Sequence, residues 1–153
     1  MVAFPLTFPA LTPARSRFLM KSIVGVTRSP FTFQRQAQAH SGQWWEADLE
    51  FPPLLRANAE LLIAFFGKLN GREGTFLMGD PAGATPRGTA TGTPLVDGAS
   101  QTGETLLTKG WTINITGILK AGDYLSLGTG ASTRLYKVLD DANSNGTGLA
   151  TLT

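Results

Sequence analysis

Apolar and polar residues alternate over several short segments of the chain, a pattern that predicts β-strands. The segments FLMKSIVGV (18–26) and FTFQRQ (31–36) are rich in β-branched and aromatic residues, with the turn-forming sequence Arg-Ser-Pro at 28–30 between them. This arrangement predicts a hairpin. Phe31 and Phe33 lie two residues apart, so we expect them to share one strand face and to fill the core.

The segment QWWEADLEF (43–51) alternates with a period of two. Its apolar face would carry Trp45, Ala47, Leu49 and Phe51, and its other face Trp44, Glu46, Asp48 and Glu50. We therefore expect a strand with one acidic face. The two prolines that follow would end this strand, because proline cannot donate to a sheet ladder.

Residues 57–70 change to the spacing of a helix. Their apolar residues follow one another at intervals of one, three, one and three residues, which lines one side of an α-helix. We expect Asn58 to be the N-cap, Glu60 to lie in the first turn, and Asn70-Gly71 to end the helix in a left-handed conformation. The residues expected to face the core are Leu61, Leu62, Phe65, Phe66 and Leu69.

A domain boundary is expected after the short strand TFLMG (75–79). Residues 83–101 are mainly Gly, Ala, Thr and Pro, which predicts a linker or long loop with at most one edge strand. The first domain would then span residues 1–82 and a second, small β-domain residues 102–153.

The second domain contains five strand candidates between glycine-containing turns, at the spacing of a small barrel or sandwich. They are TLLTKGW, TINITG, DYLSLG, TRLYKVLD and GLATLT, with apolar contacts expected from Leu125, Leu127, Leu135 and Val138. The predicted fold class is mainly β: a β-sandwich or barrel with one amphipathic helix, followed by a second small β-barrel-like domain. Because the chain stops within the last alternation, we expect the natural protein or its relatives to continue past Thr153.

The composition is typical of a folded protein, since 42% of the 153 residues are hydrophobic and 16% are charged. The absence of cysteine excludes disulfides and thiolate metal sites, and it favours a cytoplasmic origin. The longest apolar run, LLIAFF, is far shorter than the roughly 20 residues that a membrane-spanning helix needs. The net charge is +2, although residues 1–40 hold five basic and no acidic residues.

Few residues suit catalysis or metal binding. His40 is the single histidine, and it lies in AQAHSGQ, which we expect to be an exposed hairpin loop. The segment DANSNG (141–146) matches the opening of a calcium-binding loop, but the twelfth position is Leu152 instead of glutamate and both flanks are strand-like. A calcium loop and a plain hairpin loop are both possible, and the hairpin loop is favoured. We expect no enzymatic activity, no cofactor and no assigned metal ligand.

The order of these elements over residues 15–82 resembles the amino-terminal domain of tailed-phage distal tail and minor tail proteins. The positions that match the family's helix-to-strand phrase are Leu62, Phe65, Phe66, Gly71, Phe76, Met78 and Pro81, with methionine where an aromatic residue is usual. The resemblance implies a helix that covers the core of a β-sandwich.

The same resemblance implies a structural role in the virion. Subunits of this family form a ring, expected to be a homohexamer, that joins the tail tube to the tip or baseplate around the DNA channel. The expected partners are other copies of the chain, the tail tube protein and the tail-tip or hub proteins, with DNA only in passage and no membrane insertion. Such a protein is assembled in the bacterial cytoplasm and ends in the phage tail.

The row of Glu46, Asp48 and Glu50 has two interpretations. In a ring it could line the lumen and repel DNA weakly. Alternatively, the three acids form salt bridges with basic residues of the same or an adjacent subunit, namely Arg15, Arg17 and Lys21.

The second domain suggests an alternative function from another class. Trp111 and Tyr124 are expected to be exposed, and aromatic faces suit sugars. A carbohydrate- or receptor-binding β-module of a phage tail tip is therefore the competing hypothesis.

Overall fold

The protein is mainly β in the computed structural model, which describes residues 3–153 apart from the side chain of Ser41. Strands account for 38% and helices for 13%, with a single α-helix and several small sheets. The predicted fold class is confirmed at this level. None of the sheets within residues 3–153 closes into a barrel, so the barrel-like form expected for residues 102–153 is not present there.

The chain divides into two compact units, and this division differs from the boundary expected at 83–101. The hairpin unit contains residues 10–61, and the core unit contains residues 62–153 together with the residues up to Pro9.

The hairpin unit is built on two long antiparallel strands, β2 (Arg15–Arg28) and β3 (Arg35–Glu50). The register pairs Arg15 with Glu50 at one end and Arg28 with Arg35 at the other, with an irregularity between Ser22 and Val24. The predicted hairpin is therefore confirmed, but it is longer than expected. Of the predicted strand FTFQRQ only Arg35 and Gln36 belong to β3, which also contains the expected loop AQAHSGQ and the predicted strand at 43–51 up to Glu50.

The turn between these strands contains both phenylalanines that were expected in the core. The Ser29 hydroxyl accepts hydrogen bonds from the backbone N–H groups of Phe31 and Thr32, both at 3.3 Å. Phe31 is 92% exposed and Phe33 is 71% exposed, so the core prediction is wrong for both. The turn continues over the residues that look like a strand in the sequence, because the Ser29 side chain holds the backbone of Phe31 and Thr32 in the turn.

The helix α1 (Arg56–Leu69) lies where the apolar spacing predicted it. Its end is confirmed, since Asn70 and Gly71 have φ values of 49° and 69°. Its start is not, because Asn58 already lies in the helix and donates its backbone N–H to the Leu55 carbonyl at 2.9 Å. Asn58 is thus not the N-cap, and the first turn holds no acidic residue.

The helix buries a narrower stripe than the sequence predicted. Phe65 and Leu69 are buried and Leu62 is half-buried. These three residues are spaced three and four apart, so they form one line along the helix. Leu61 and Phe66 flank that line on either side, and each is 56% exposed. The prediction that all five residues lie in the core is therefore wrong for Leu61 and Phe66.

The buried helix residues pack on a small parallel pair of strands, β1 (Leu6–Thr7) and β4 (Phe76–Leu77). The Phe65 ring meets those of Phe8 and Phe76 edge-on, at centroid distances of 5.3 and 5.4 Å. Such aromatic pairs are favourable beyond their buried area. The predicted strand at 75–79 is thus present in shortened form, and one side of the helix covers it.

The rest of the core unit is a set of short antiparallel strands. A three-stranded sheet has the order β5 (Gly92–Val96), β6 (Leu106–Trp111) and β9 (Ala150–Leu152). A hairpin joins β7 (Tyr124–Leu127) to β8 (Arg134–Lys137). Four of the five strand candidates are therefore confirmed. The fifth, TINITG, forms turns instead, with positive φ at Asn114 and Gly117.

These strands enclose a well-buried core. Ile118 is completely buried and Val138 is 1% exposed. Around them pack Trp111, Leu119, Ala142, Ala150 and Leu152, with Leu125 partly buried against the cluster.

Residues 87–96, which lie in the expected linker, are an integral part of this unit. The backbone N–H groups of Thr89 and Ala90 donate to the carbonyls of Gly117 and Ile118, at 3.2 and 2.8 Å. A Cβ at Gly88 would collide with the backbone of Ile118, so this close approach requires glycine. The predicted edge strand is present as β5, at the edge of its sheet.

Candidate functional site

The longest regular structure among the described residues is the β2–β3 ribbon, and most of its residues are exposed. Its strands are 14 and 16 residues long, and they pair only with each other among the described residues. A two-stranded ribbon is marginally stable in water unless a third strand or another layer covers it. The ribbon is therefore the part of the molecule that additional contacts would stabilise most.

Large apolar side chains lie on this ribbon and at its turn. The side chains that are about half exposed or more are Met20, Ile23, Val24, Val26, Phe31, Phe33 and Trp44. Contiguous exposed apolar residues mark interaction surfaces more often than isolated ones do. The sequence predicted a strand here but not that its apolar side chains would stay exposed.

The alternation predicted for residues 43–51 is present except at Ala47, which was expected on the apolar face but is exposed. Trp45, Leu49 and Phe51 are half-buried, whereas the residues between them are exposed. The residues expected on the other face, Trp44, Glu46, Asp48 and Glu50, are all exposed.

This exposed face is not acidic as a whole, because β2 places basic residues beside the acids. Glu50 lies opposite Arg15, and Asp48 lies opposite Arg17 with 4.0 Å between their charged groups. The Lys21 Nζ atom is 2.7 Å from Glu46 Oε2. The second interpretation of the acidic row therefore fits the structure within one chain. Three acids beside three bases do not give the net negative face that repulsion of DNA requires.

Trp111 does not display a face for sugar binding. It is only 7% exposed, and its Nε1 atom donates a hydrogen bond to the Thr108 hydroxyl at 2.8 Å. The Thr108 hydroxyl in turn donates to the Ala150 carbonyl at 2.8 Å. The prediction that Trp111 is exposed is wrong, because its side chain belongs to the buried core cluster that includes Ile118 and Val138.

Tyr124 is half-buried at the edge of a shallow depression of about 200 Å³. Its hydroxyl donates to Asp80 Oδ2 at 3.0 Å, and Lys137 Nζ lies 4.8 Å from the ring centroid. Burial and the Asp80 carboxylate raise the pKa of Tyr124, since both disfavour the phenolate. Arg87 also lines the depression, so acidic and basic groups are mixed there.

Asp123 is a buried charged residue that the sequence did not single out. Its carboxylate accepts backbone N–H bonds from Arg87 at 2.7 Å, Gly88 at 2.9 Å and Lys120 at 2.8 Å. Burial alone would raise the pKa of Asp123, but these hydrogen bonds outweigh it and leave the pKa lowered. The residue ties the segment before β5 to the start of β7, so its role here is structural.

The DANSNG segment uses its polar side chains to bind the backbone. Asp141 Oδ1 accepts from Ala121 N at 2.9 Å, and Asn143 Oδ1 accepts from Gly117 N at 2.7 Å. Asn145 Oδ1 accepts from Thr147 N at 2.9 Å. The side-chain oxygens at the first, third and fifth positions of the motif thus each accept a hydrogen bond from a backbone N–H group, which is typical of a loop stabilised by its own side chains.

His40 lies within β3 and is exposed, which corrects its expected position in a loop. Within residues 3–153 there is no group of three or more His, Cys, Asp or Glu side chains that could hold a metal ion. In that same part of the chain, no helix is both long and apolar enough to cross a membrane. Comparison with protein-family models finds no match, and no curated protein sequence matches the chain.

Proposed function

We propose that this protein is a structural subunit of a phage tail, which forms a ring that joins the tail tube to the tip or baseplate around the DNA channel. The observation that carries the proposal is the long β2–β3 ribbon, with its exposed apolar side chains and its two open strand edges. The order of elements predicted over residues 15–82, which resembles that of distal tail and minor tail proteins, favours the same function.

An open strand edge is a liability in a protein that works alone, because unpaired N–H and C=O groups recruit other strands. In an assembly subunit the same edges become interfaces. The apolar side chains along the ribbon would be removed from water in the assembled state, at roughly 25 cal/mol per Å² of apolar surface. The ribbon thus gains stability on assembly that the isolated chain lacks.

The helix carries exposed apolar side chains of its own. Phe65 and Leu69 cover the small β1–β4 pair, whereas Leu61 and Phe66 remain exposed on either flank of the buried line. These flanks are available to neighbouring subunits or to the tail tube and tip proteins. In this proposal the protein is assembled in the bacterial cytoplasm and is found in the virion.

Native mass spectrometry of the purified chain over a concentration series, combined with negative-stain electron microscopy, tests the proposal. We expect a closed ring with a central hole that becomes populated as concentration rises. Two matched variants separate the ribbon from the rest of the surface: Phe31→Ser with Phe33→Ser should weaken assembly, whereas Ile113→Ser, which changes an exposed residue of the core unit, should not. A chain that stays monomeric at every concentration would contradict a self-assembling ring.

A further inference from the structure

The two strands of the ribbon carry opposite charge at the end away from the turn, in residues 15–21 of β2 and 46–50 of β3. One face of β2 presents a basic row, made of Arg15, Arg17 and Lys21. The same face of β3 presents an acidic row, made of Glu46, Asp48 and Glu50. Each row lies beside the other within one chain, and each also borders an open edge.

In a sheet, every inner strand has a neighbour on both sides. The acidic row has its own basic row on one side and, in the isolated chain, solvent on the other. A second basic row on that open side would add favourable cross-strand pairs, whereas a second acidic row would place like charges opposite each other. The charges therefore favour contact between unlike edges and disfavour contact between like edges.

The strand directions agree with this preference. Because β2 and β3 are antiparallel, placing a second ribbon beside the first without turning it over puts the β2 strand of one next to the β3 strand of the other, again antiparallel. The ribbon can be repeated sideways in this way to give a continuous antiparallel sheet. Contact through unlike edges is head-to-tail, and head-to-tail contacts generate rings when the rotation closes.

We propose that the ribbon docks a second copy of this chain, with the β2 edge of one subunit paired to the β3 edge of the next. This inference deepens the proposed function and rests on it, because it assigns the surfaces through which neighbouring subunits meet. The occupant is a second copy because each edge finds its charge complement on the opposite edge of the same ribbon. Met20, Val24 and Val26 on β2 would then gain cross-strand neighbours on a second side.

Thiol cross-linking of two single-cysteine variants tests the pairing, and the chain has no cysteine of its own to interfere. Ser22→Cys marks β2 and Gln43→Cys marks β3, at exposed positions that lie opposite each other within one ribbon. The two variants are made with different affinity tags, mixed, and treated with a short bis-maleimide. The cross-linked products are separated into mixed and like pairs.

Head-to-tail pairing predicts the mixed product in about tenfold excess over either like product, which corresponds to a preference of about 1.4 kcal/mol. Each variant alone should give little product. A predominance of like pairs would overturn the proposal, because it requires contact between two β2 edges or two β3 edges. Absence of any product would also overturn it.

Charge neutralisation provides the second readout. Replacing the acidic row by Glu46→Gln, Asp48→Asn and Glu50→Gln in the β3-labelled variant should lower the mixed yield several-fold. The matched control neutralises three exposed acids elsewhere, Glu60, Glu104 and Asp140, and should leave the yield unchanged. An equal fall in both variants would show that the acidic row does not direct the pairing. Circular dichroism confirms that each variant is folded.

The results also separate this inference from the proposed function. If native mass spectrometry shows a closed ring but no mixed product forms, the proposed ring assembly is supported and the proposed edge pairing is wrong. If the mixed product forms but the assemblies are open filaments, the proposed edge pairing is supported and the proposed ring is wrong.

Discussion

The core unit and the hairpin unit use their apolar residues in opposite ways. In the core unit, Ile118, Val138 and their neighbours are withdrawn from water, and Thr108 and Asp123 satisfy their buried polar atoms with hydrogen bonds. On the ribbon and its turn, isoleucine, valine and phenylalanine side chains are about half exposed or more, and the strands have open edges. Packing within the core unit stabilises that unit, whereas the ribbon would be stabilised by additional contacts that cover it.

This difference predicts that substitutions in the two units change different quantities. A substitution in the core unit changes the free energy of unfolding of the monomer. A substitution of similar size on the ribbon should act chiefly on association, since the side chain makes few contacts to lose in the isolated chain.

The strongest test of the comparison replaces the same residue type in both units. Ile118→Ala removes completely buried atoms and leaves a cavity, so we expect it to lower the free energy of unfolding by about 2–5 kcal/mol. Ile23→Ala, at a half-exposed position of β2, should change it by no more than about 0.5 kcal/mol at low protein concentration. Urea unfolding followed by far-ultraviolet circular dichroism measures both. Equal losses would mean that the ribbon is packed as tightly as the core.

A second test concerns the buried polar connection in the core unit. In Asp123→Asn, an amide NH₂ replaces one carboxylate oxygen, so it faces backbone N–H donors instead of accepting from them. We expect a loss of about 1.5–3 kcal/mol, the range for hydrogen bonds to a charged group. Asp140→Asn, at an exposed position, is the matched control in the same urea experiment. A variant at Asp123 that is as stable as this control would show that the three hydrogen bonds do not hold the segment.

The same carboxylate makes a prediction about pH. Because the folded-state pKa of Asp123 lies below its ordinary value of 3.8, its contribution to stability is present above that value and is lost as pH falls through the folded-state pKa. The stability difference between the wild type and Asp123→Asn should therefore be constant near neutral pH and shrink in the acid range below 3.8. Thermal unfolding at a series of pH values measures it. A difference that persists unchanged to the most acidic pH at which the protein still folds would contradict the assignment.

Local patterns predicted most elements of the fold. The helix over residues 57–70, the long hairpin and four of the C-terminal strands follow from periodicity and from turn residues, which are properties of neighbouring positions. Some errors were local, as at Phe31 and Phe33 in the Ser29 turn, and others arose where a distant segment decides the outcome. Trp111 looks like an exposed aromatic residue on a short strand, but β9 and Thr108 enclose it.

The candidate surface was harder to predict for the same reason. The acidic row is visible in β3 alone, but its meaning depends on the register that brings Arg15, Arg17 and Lys21 beside it. Asp123 gave no sequence signal, because its three partners are backbone amides, two of which lie more than thirty positions away. The five basic and no acidic residues before position 41 were the one signal that could have suggested a basic strand opposite the acids.

The smallest expected effect on the monomer is the most informative about the ribbon. Phe31→Ser removes a large apolar side chain that is 92% exposed, so at low concentration the free energy of unfolding should change by no more than about 0.5 kcal/mol. Phe65→Ser, which empties the space between α1 and the β1–β4 pair, is the matched control and should cost about 3–5 kcal/mol or more. As concentration rises, assembly stabilises the wild type by mass action, and the Phe31 variant should gain less. If Phe31→Ser instead destabilised the dilute monomer as much as Phe65→Ser does, the phenyl ring would be packed within the chain, and the contrast between the two units would fail at the position where it is greatest.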